Sequence, residues 1–87
     1  MYSRTTCHLC DAARATIRAE AARSSFWFEE IHVDGDDQLE RDYGLRVPVV
    51  LVDDEEAFEY HVDPGRLHAL VAGGRPRRGR LGRLFGR

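Results

Sequence analysis

Two cysteines separated by two residues, Cys7 and Cys10, are the only thiols of this 87-residue chain and lie in the stretch TTCHLCDAARA. A C-x-x-C pair can hold a metal, close a structural disulfide, or cycle between dithiol and disulfide. A disulfide across two intervening residues closes too small a loop to restrain the unfolded chain much. The structural disulfide is therefore the least favoured use, and metal binding and redox chemistry stay open.

A structural zinc site needs four ligands, and the C-x-x-C pair supplies two of them. His8 stands between the cysteines with poor geometry for a shared metal. The other three histidines are scattered along the chain without a second ligand pair: His32, His61 and His68. We therefore expect no metal site within a single chain. A zinc or iron–sulfur site completed by a partner chain or an external thiol is the alternative to redox catalysis.

The surrounding sequence predicts the elements that position the thiols. Spacing of apolar residues, β-branched runs and turn residues predict seven elements in the order β-α-β-α-β-β-α. They cover residues 1–3, about 10–22, 26–33, a short helix between 37 and 44, 47–52, 57–62 and 64–72. The pattern predicts a mixed sheet, in which a parallel portion is joined by helices and an antiparallel hairpin closes the chain. The first strand is very short.

Particular residues mark where these elements begin and end. Gly44 and Gly73 are placed to stop the second and third helices, and Asp63 and Pro64 stand where an N-cap and a first helical residue are favoured. The run VPVVLV is too short for a helix and is typical of a buried strand. An acidic turn over residues 53–56 separates it from the last strand.

Charge divides the chain into two parts. Residues 1–63 carry all 15 acidic side chains and six of the 13 arginines, whereas residues 64–87 carry seven arginines and no acid. We expect one domain over residues 1–72 and a disordered Arg- and Gly-rich tail over 73–87, which has too few apolar side chains to order itself. A solvated tail is favoured over nucleic-acid or membrane-surface contact through its arginines.

The chain has no apolar segment that resembles a signal peptide, and no apolar run approaches the ~20 residues that span a bilayer. We therefore expect a cytoplasmic monomer without membrane attachment. Because the cytosol keeps ordinary disulfides reduced, two cysteines there are more often redox-active or metal-binding than structural.

The stretch YSRTTCHLC, followed by YGLRVPVVLVDDEE, resembles the small glutaredoxin-like proteins of bacteria, a branch of the thioredoxin superfamily, over most of residues 1–72. The resemblance implies a thioredoxin-like three-layer α/β/α fold with a mixed sheet, and thiol–disulfide oxidoreductase activity. It also implies a cis Val47–Pro48 peptide that faces the cysteines and leaves the Val47 backbone free to pair with substrate. A non-catalytic thioredoxin-like protein that binds a metal or a partner through C-x-x-C is the alternative.

Position on the predicted helix distinguishes the two thiols. Cys7 precedes a helix whose unpaired N–H groups and dipole favour negative charge, so it is the expected nucleophile. Cys10 lies one turn later and deeper, as suits a resolving thiol. The candidate substrate-binding residues, several of them implied by the resemblance, are Arg4, His8, Leu9, Val47, Pro48 and Asp63.

Glutaredoxins that use glutathione usually carry Gly-Gly and a following Asp after the last strand. The corresponding stretch here, EYHVDPGRL, contains Asp63 but no Gly-Gly, and predicts weak glutathione binding. We expect no tightly bound cofactor. Glutathione or another low-molecular-weight thiol is the expected co-substrate, and a disulfide-containing protein or a small disulfide is the expected substrate; the electron donor is left open.

Overall fold

The structure is a computed structural model that describes residues 1–72. The predicted tail over 73–87, and Gly73 as the stop of the last helix, lie outside the described residues. The seven elements are β1 (Tyr2–Ser3), α1 (His8–Ala21), β2 (Ile31–His32), α2 (Asp37–Tyr43), β3 (Val49–Val52), β4 (Glu55–Glu59) and α3 (Pro64–Val71). No helix in this part of the chain is long and apolar enough to cross a membrane.

The four strands form one mixed sheet in the order β2-β1-β3-β4. The two-residue strand β1 is central, because it pairs parallel with β2 on one side and antiparallel with β3 on the other. Strands β3 and β4 form an antiparallel hairpin. The parallel portion, the closing hairpin and the short first strand are thus confirmed.

Helices cover both faces of the sheet. On one face α1 and α3 contact each other, and the core takes one residue from each of four elements: Ile17, Val50, Phe58 and Leu67. On the other face the ring of Tyr43, in α2, stacks on that of Tyr2, in β1, with 4.0 Å between the ring centroids. The predicted three-layer α/β/α arrangement is therefore confirmed.

The strand predicted over residues 26–33 is shorter than expected, since only Ile31–His32 pairs with a neighbour. Its partner β1 has two residues, so the preceding segment has no strand to pair with. In the preceding segment, residues 26–28, successive side chains nevertheless point to opposite sides, as in a strand. Phe26 and Phe28 pack against the core, whereas Trp27 is 89% exposed.

The hairpin turn is tighter than predicted. Asp53 and Asp54 alone form it, with φ of 53° and 70°, and β4 begins at once with Glu55 rather than at residue 57. Two consecutive residues with positive φ match the twist of the strands they connect, so the ladder continues up to the turn. The strand also ends early, because Tyr60 has a φ of 69° that turns the chain away from the sheet.

The predicted caps are present, but one glycine has a different role. Asp63 caps α3 and accepts a hydrogen bond from the Arg66 N–H at 2.7 Å. Gly44 ends α2 with a φ of −54°, so no left-handed conformation requires glycine there. A Cβ at this position would instead collide with Glu40 and lie 2.8 Å from Nη2 of Arg4. Glycine is required here because the Glu40 and Arg4 side chains approach the backbone too closely for a Cβ.

Candidate active site

The two cysteines occupy the first turn of α1 and are joined by a disulfide, with their Cα atoms 5.2 Å apart. Cys7 is the N-cap, and its Sγ accepts a hydrogen bond from the Cys10 N–H at 3.1 Å. Cys7 is half-buried, whereas Cys10 has no exposed surface. The prediction that Cys10 lies deeper than Cys7 is therefore confirmed.

The loop between β1 and α1 is held by a contact with a distant residue. The Thr5 N–H donates to the Asp34 carboxylate at 3.0 Å, which lowers the pKa of Asp34 below its ordinary value. Thr6, the residue before Cys7, has a φ of 56°, a region that side-chain-bearing residues rarely adopt. The loop reaches Cys7 in a conformation that its surroundings must hold.

Arg4, a candidate substrate ligand, is engaged within the fold. Its guanidinium donates to both carboxylate oxygens of Glu40, at 2.6 and 3.0 Å, and to the Gly44 carbonyl at 2.9 Å. The hydrogen bond to Glu40 raises the pKa of Arg4. Arg4 therefore ties the end of β1 to the end of α2, and its charge is balanced where it lies.

The Val47–Pro48 peptide bond is cis, as the resemblance implied. Tyr2 pairs antiparallel with Val49, so the register brings Pro48 opposite Ser3, at the edge where β1 ends and the chain continues to Cys7. The Pro48 carbonyl accepts a hydrogen bond from the Tyr60 N–H at 2.9 Å. Within residues 1–72, no backbone hydrogen bond reaches the N–H or carbonyl of Val47.

The remaining candidates fall into two groups. His8 and Leu9 share the first turn of α1 with the cysteines, and both are exposed. Asp63 lies after β4, where its carboxylate caps α3. The structure thus brings His8 and Leu9 next to the thiols and uses Asp63 to begin a helix. Among residues 1–72, no three His, Cys, Asp or Glu side chains are grouped as a metal site.

Sequence analysis missed a polar network below the dithiol. The buried Ser3 hydroxyl donates to Glu30 at 2.6 Å, and Arg14 donates to the same carboxylate at 2.6 and 2.7 Å. The Arg14 guanidinium, and secondarily Ser3, lowers the pKa of Glu30 to about 2. Arg14 lies one turn after Cys10, so this network fixes α1 against β1. The sequence offers only one sign of this network, which is the acidic Glu30 directly before strand β2.

Comparison with known proteins agrees with this geometry. The model of the Glutaredoxin-like domain (DUF836) matches residues 1–72. Protein Ne2328 from Nitrosomonas europaea, solved by NMR, is 36% identical, with a TM-score of 0.69 over 80% of this chain and 85% of that one. Protein XcR50 from X. campestris, solved by X-ray, is 36% identical, with a TM-score of 0.68 over 86% of this chain and 95% of its own. No curated protein matches the chain.

The fold and the C-x-x-C pair define a thioredoxin-like protein with a disulfide at the start of its first helix. The chain belongs to the glutaredoxin-like family described by that domain model.

Proposed function

We propose that this protein is a thiol–disulfide oxidoreductase that reduces protein disulfides, or mixed disulfides with small thiols, through Cys7 and Cys10. The observation that carries the proposal is the asymmetry of the pair. Cys7 is half-buried at a helix N-terminus, whereas Cys10 is fully buried and bonded to it. That is the arrangement which an attacking and a resolving thiol require.

The reduced protein begins the reaction at Cys7. The α1 dipole and the Cys10 N–H favour its thiolate, which attacks one sulfur of the substrate disulfide. A mixed disulfide forms, and the first substrate thiolate leaves and takes a proton from solvent. Cys10 then loses its proton and attacks the Cys7 sulfur, which expels the second substrate thiolate.

The products are two substrate thiols and the Cys7–Cys10 disulfide present in the structure. The protein has given up two electrons and two protons, so a thiol or dithiol reductant must restore it before the next turnover. A low-molecular-weight thiol is the class of donor that the proposal assigns.

Serine variants of the two cysteines test the assignment. Cys7→Ser should abolish disulfide reduction, because a serine hydroxyl is hardly ionised at neutral pH and does not attack sulfur. Cys10→Ser should stall as a mixed disulfide between Cys7 and the substrate, measured as a mass adduct. In that variant, alkylation of Cys7 should have a pH midpoint below the ~8.5 of a free thiol.

Two outcomes would contradict these roles. An adduct that accumulates on Cys10 in the Cys7→Ser variant would reverse nucleophile and resolving thiol. Equal losses of bound metal and stability in both variants, with no trapped adduct, would instead support a structural metal site.

A further inference from the structure

An apolar surface adjoins the cis-proline edge of the sheet, and the reaction described above does not use it. Leu45 and Tyr60 belong to the few large apolar side chains that are well exposed in residues 1–72, at 91% and 42%. Leu45 precedes the half-buried Val47 by two residues. Hydrogen bonds connect Tyr60 to the backbone of this same segment, so its ring lies beside the residue that carries the exposed Leu45 side chain.

Tyr60 is held in an uncommon conformation by these contacts. Its φ is 69°, and the His61 N–H donates to the Glu59 carbonyl at 2.8 Å, which makes Tyr60 the centre of a three-residue γ-turn. Its N–H donates to the Pro48 carbonyl at 2.9 Å, and its hydroxyl donates to the Leu45 carbonyl at 3.1 Å. Tyr60 therefore spans both ends of the segment 45–48.

A tyrosine with positive φ is strained in a way that a glycine would not be. Such conformations persist where the surrounding structure over-determines them, and they concentrate at ligand-binding segments. Here the strain places an aromatic ring beside the segment 45–48, which follows α2 and leads into β3. The γ-turn thus places the Tyr60 ring on the surface as well as changing the direction of the chain.

The charged groups beside this surface already have partners. Arg4 is bound to Glu40 and Gly44, and Arg46, next to Leu45, is paired with Glu56 and Glu59. A ligand with free carboxylates, such as a charged tripeptide, would therefore have to displace these partners in order to bind Arg4 or Arg46.

The surface offers features that an extended peptide can use. Val47 keeps a backbone N–H and carbonyl outside the backbone hydrogen bonds of residues 1–72, as an added strand requires. Apolar side chains of such a strand would meet Leu45 and the Tyr60 ring, and its disulfide would lie towards Cys7, beyond the end of β1.

We propose that Leu45 and Tyr60 form a specificity surface for extended protein segments with an apolar residue next to the disulfide cysteine, and that such segments are the substrate class. In this proposal Leu45 contacts the substrate directly, whereas Tyr60 is a positioning residue that also contributes its ring. The inference rests on the proposed reductase function and narrows its substrate.

Single-turnover reduction tests the inference without a recycling donor. The reduced protein is mixed with short peptides whose one cysteine is disulfide-bonded to 2-mercaptoethanol and flanked by leucine or by serine. The half-saturating peptide concentration and the limiting rate are measured separately. The leucine peptide should be preferred at least about tenfold, the size expected from burying one leucine side chain.

Variants of Leu45 and Tyr60 test whether these side chains cause the preference for the leucine peptide. Leu45→Ser should bring the ratio between the two peptides close to one. Tyr60→Gly accommodates the positive φ without strain, so it should fold, and it should raise the half-saturating concentration of the leucine peptide rather than lower its limiting rate. Tyr60→Phe keeps the ring but loses the bond to Leu45, and should lie between. Trp27→Ser removes an equally exposed side chain elsewhere and should leave the preference intact.

The two proposals can fail separately. If the protein reduces the leucine and serine peptides without preference, the proposed specificity surface is wrong and the reductase function stands. The same conclusion follows if Leu45→Ser and Trp27→Ser each lower the rates with the two peptides to the same extent. If the reduced protein reduces neither peptide nor bis(2-hydroxyethyl) disulfide, the reductase function itself is wrong.

Discussion

The two ends of the sheet are held together by different forces. At the dithiol end, defined as residues 4–10 and 44–48, polar contacts such as Arg4–Glu40 and Thr5–Asp34 join residues about 30 positions apart in sequence. At the aromatic end, defined as residues 26–29 with the ends of α1 and α3, apolar side chains pack around a groove of about 580 Å³. The polar contacts at this end join the two helix ends, where the buried Glu20 is bound by Ser24 and His68.

The difference fits the reaction proposed for the dithiol end. Thiol exchange needs the attacking sulfur and its partners in a narrow range of positions, and directional hydrogen bonds supply that restriction. Apolar packing is non-directional and stabilises the fold without fixing a single reacting atom. Perturbing the aromatic end should therefore change stability, whereas perturbing the dithiol end should also change reactivity.

The largest effect on stability is expected from Phe28→Ala at the aromatic end. Phe28 packs against the core but is only half-buried, so the free energy of unfolding should fall by about 2–3 kcal/mol, below the 3–5 of a fully buried phenylalanine. Urea denaturation measures the loss. The neighbouring Trp27→Ala is the control and should stay within about 0.5 kcal/mol. Equal losses of unfolding free energy in the two variants would contradict the arrangement in which Phe28 faces the core and Trp27 faces solvent.

Gly44→Ala should have a smaller effect on stability and a visible effect on the dithiol end. The added Cβ must displace Glu40 or Arg4, and overpacking of this kind costs about 1–3 kcal/mol. The rate of Cys7 alkylation should change as well. Gly65→Ala is the matched control, because its Cβ meets no atom closer than 3.6 Å. A stable Gly44→Ala protein with wild-type reactivity would contradict the role of this contact.

Acid should also destabilise the fold, in steps that follow the titration of individual carboxylates. Hydrogen bonds from Ser24 and His68 lower the pKa of Glu20 from the ordinary 4.5 to about 2. A carboxylate with a lowered folded-state pKa stabilises the fold above pH 4.5, and this stabilisation is lost as the pH falls towards 2. The free energy of unfolding, measured by urea denaturation between pH 7 and 2, should decrease across that window.

Glu20→Gln distinguishes the contribution of Glu20 to the acid dependence of stability from that of Glu30. It should flatten only part of the acid dependence, because Glu30, bound by Arg14, has a pKa lowered to the same value. Glu30→Gln should remove a further part, while Asp34 and Glu56, whose pKa values are also lowered, keep the remainder. It should also alter Cys7 alkylation, since Glu30 holds α1 through Arg14 one turn after Cys10. A Glu20→Gln protein with the full wild-type acid dependence would contradict the assignment.

Much of the fold could be predicted because it depends on short-range order. The helix that begins between the cysteines, the Asp63 cap and strand β3, which covers the last four residues of the run VPVVLV, are set by residues within a few positions of each other. The length of β2 could not be predicted, because a strand extends only as far as its partner. The hairpin turn depends on positive φ values that Asp53 and Asp54 adopt without a glycine to signal them.

For the site, the sequence by itself determined the spacing of the two thiols and their place at the start of a helix, since both are local properties. Tertiary structure decided which neighbours remain available. Arg4 and Asp63 are predicted ligands, and the structure adds that each also binds within the fold, Arg4 to a residue 36 positions away. Within residues 1–72 the Val47 backbone has no backbone hydrogen bond, and Tyr60 is strained. Both features depend on strand register and on contacts across the sheet, which no local sequence pattern encodes.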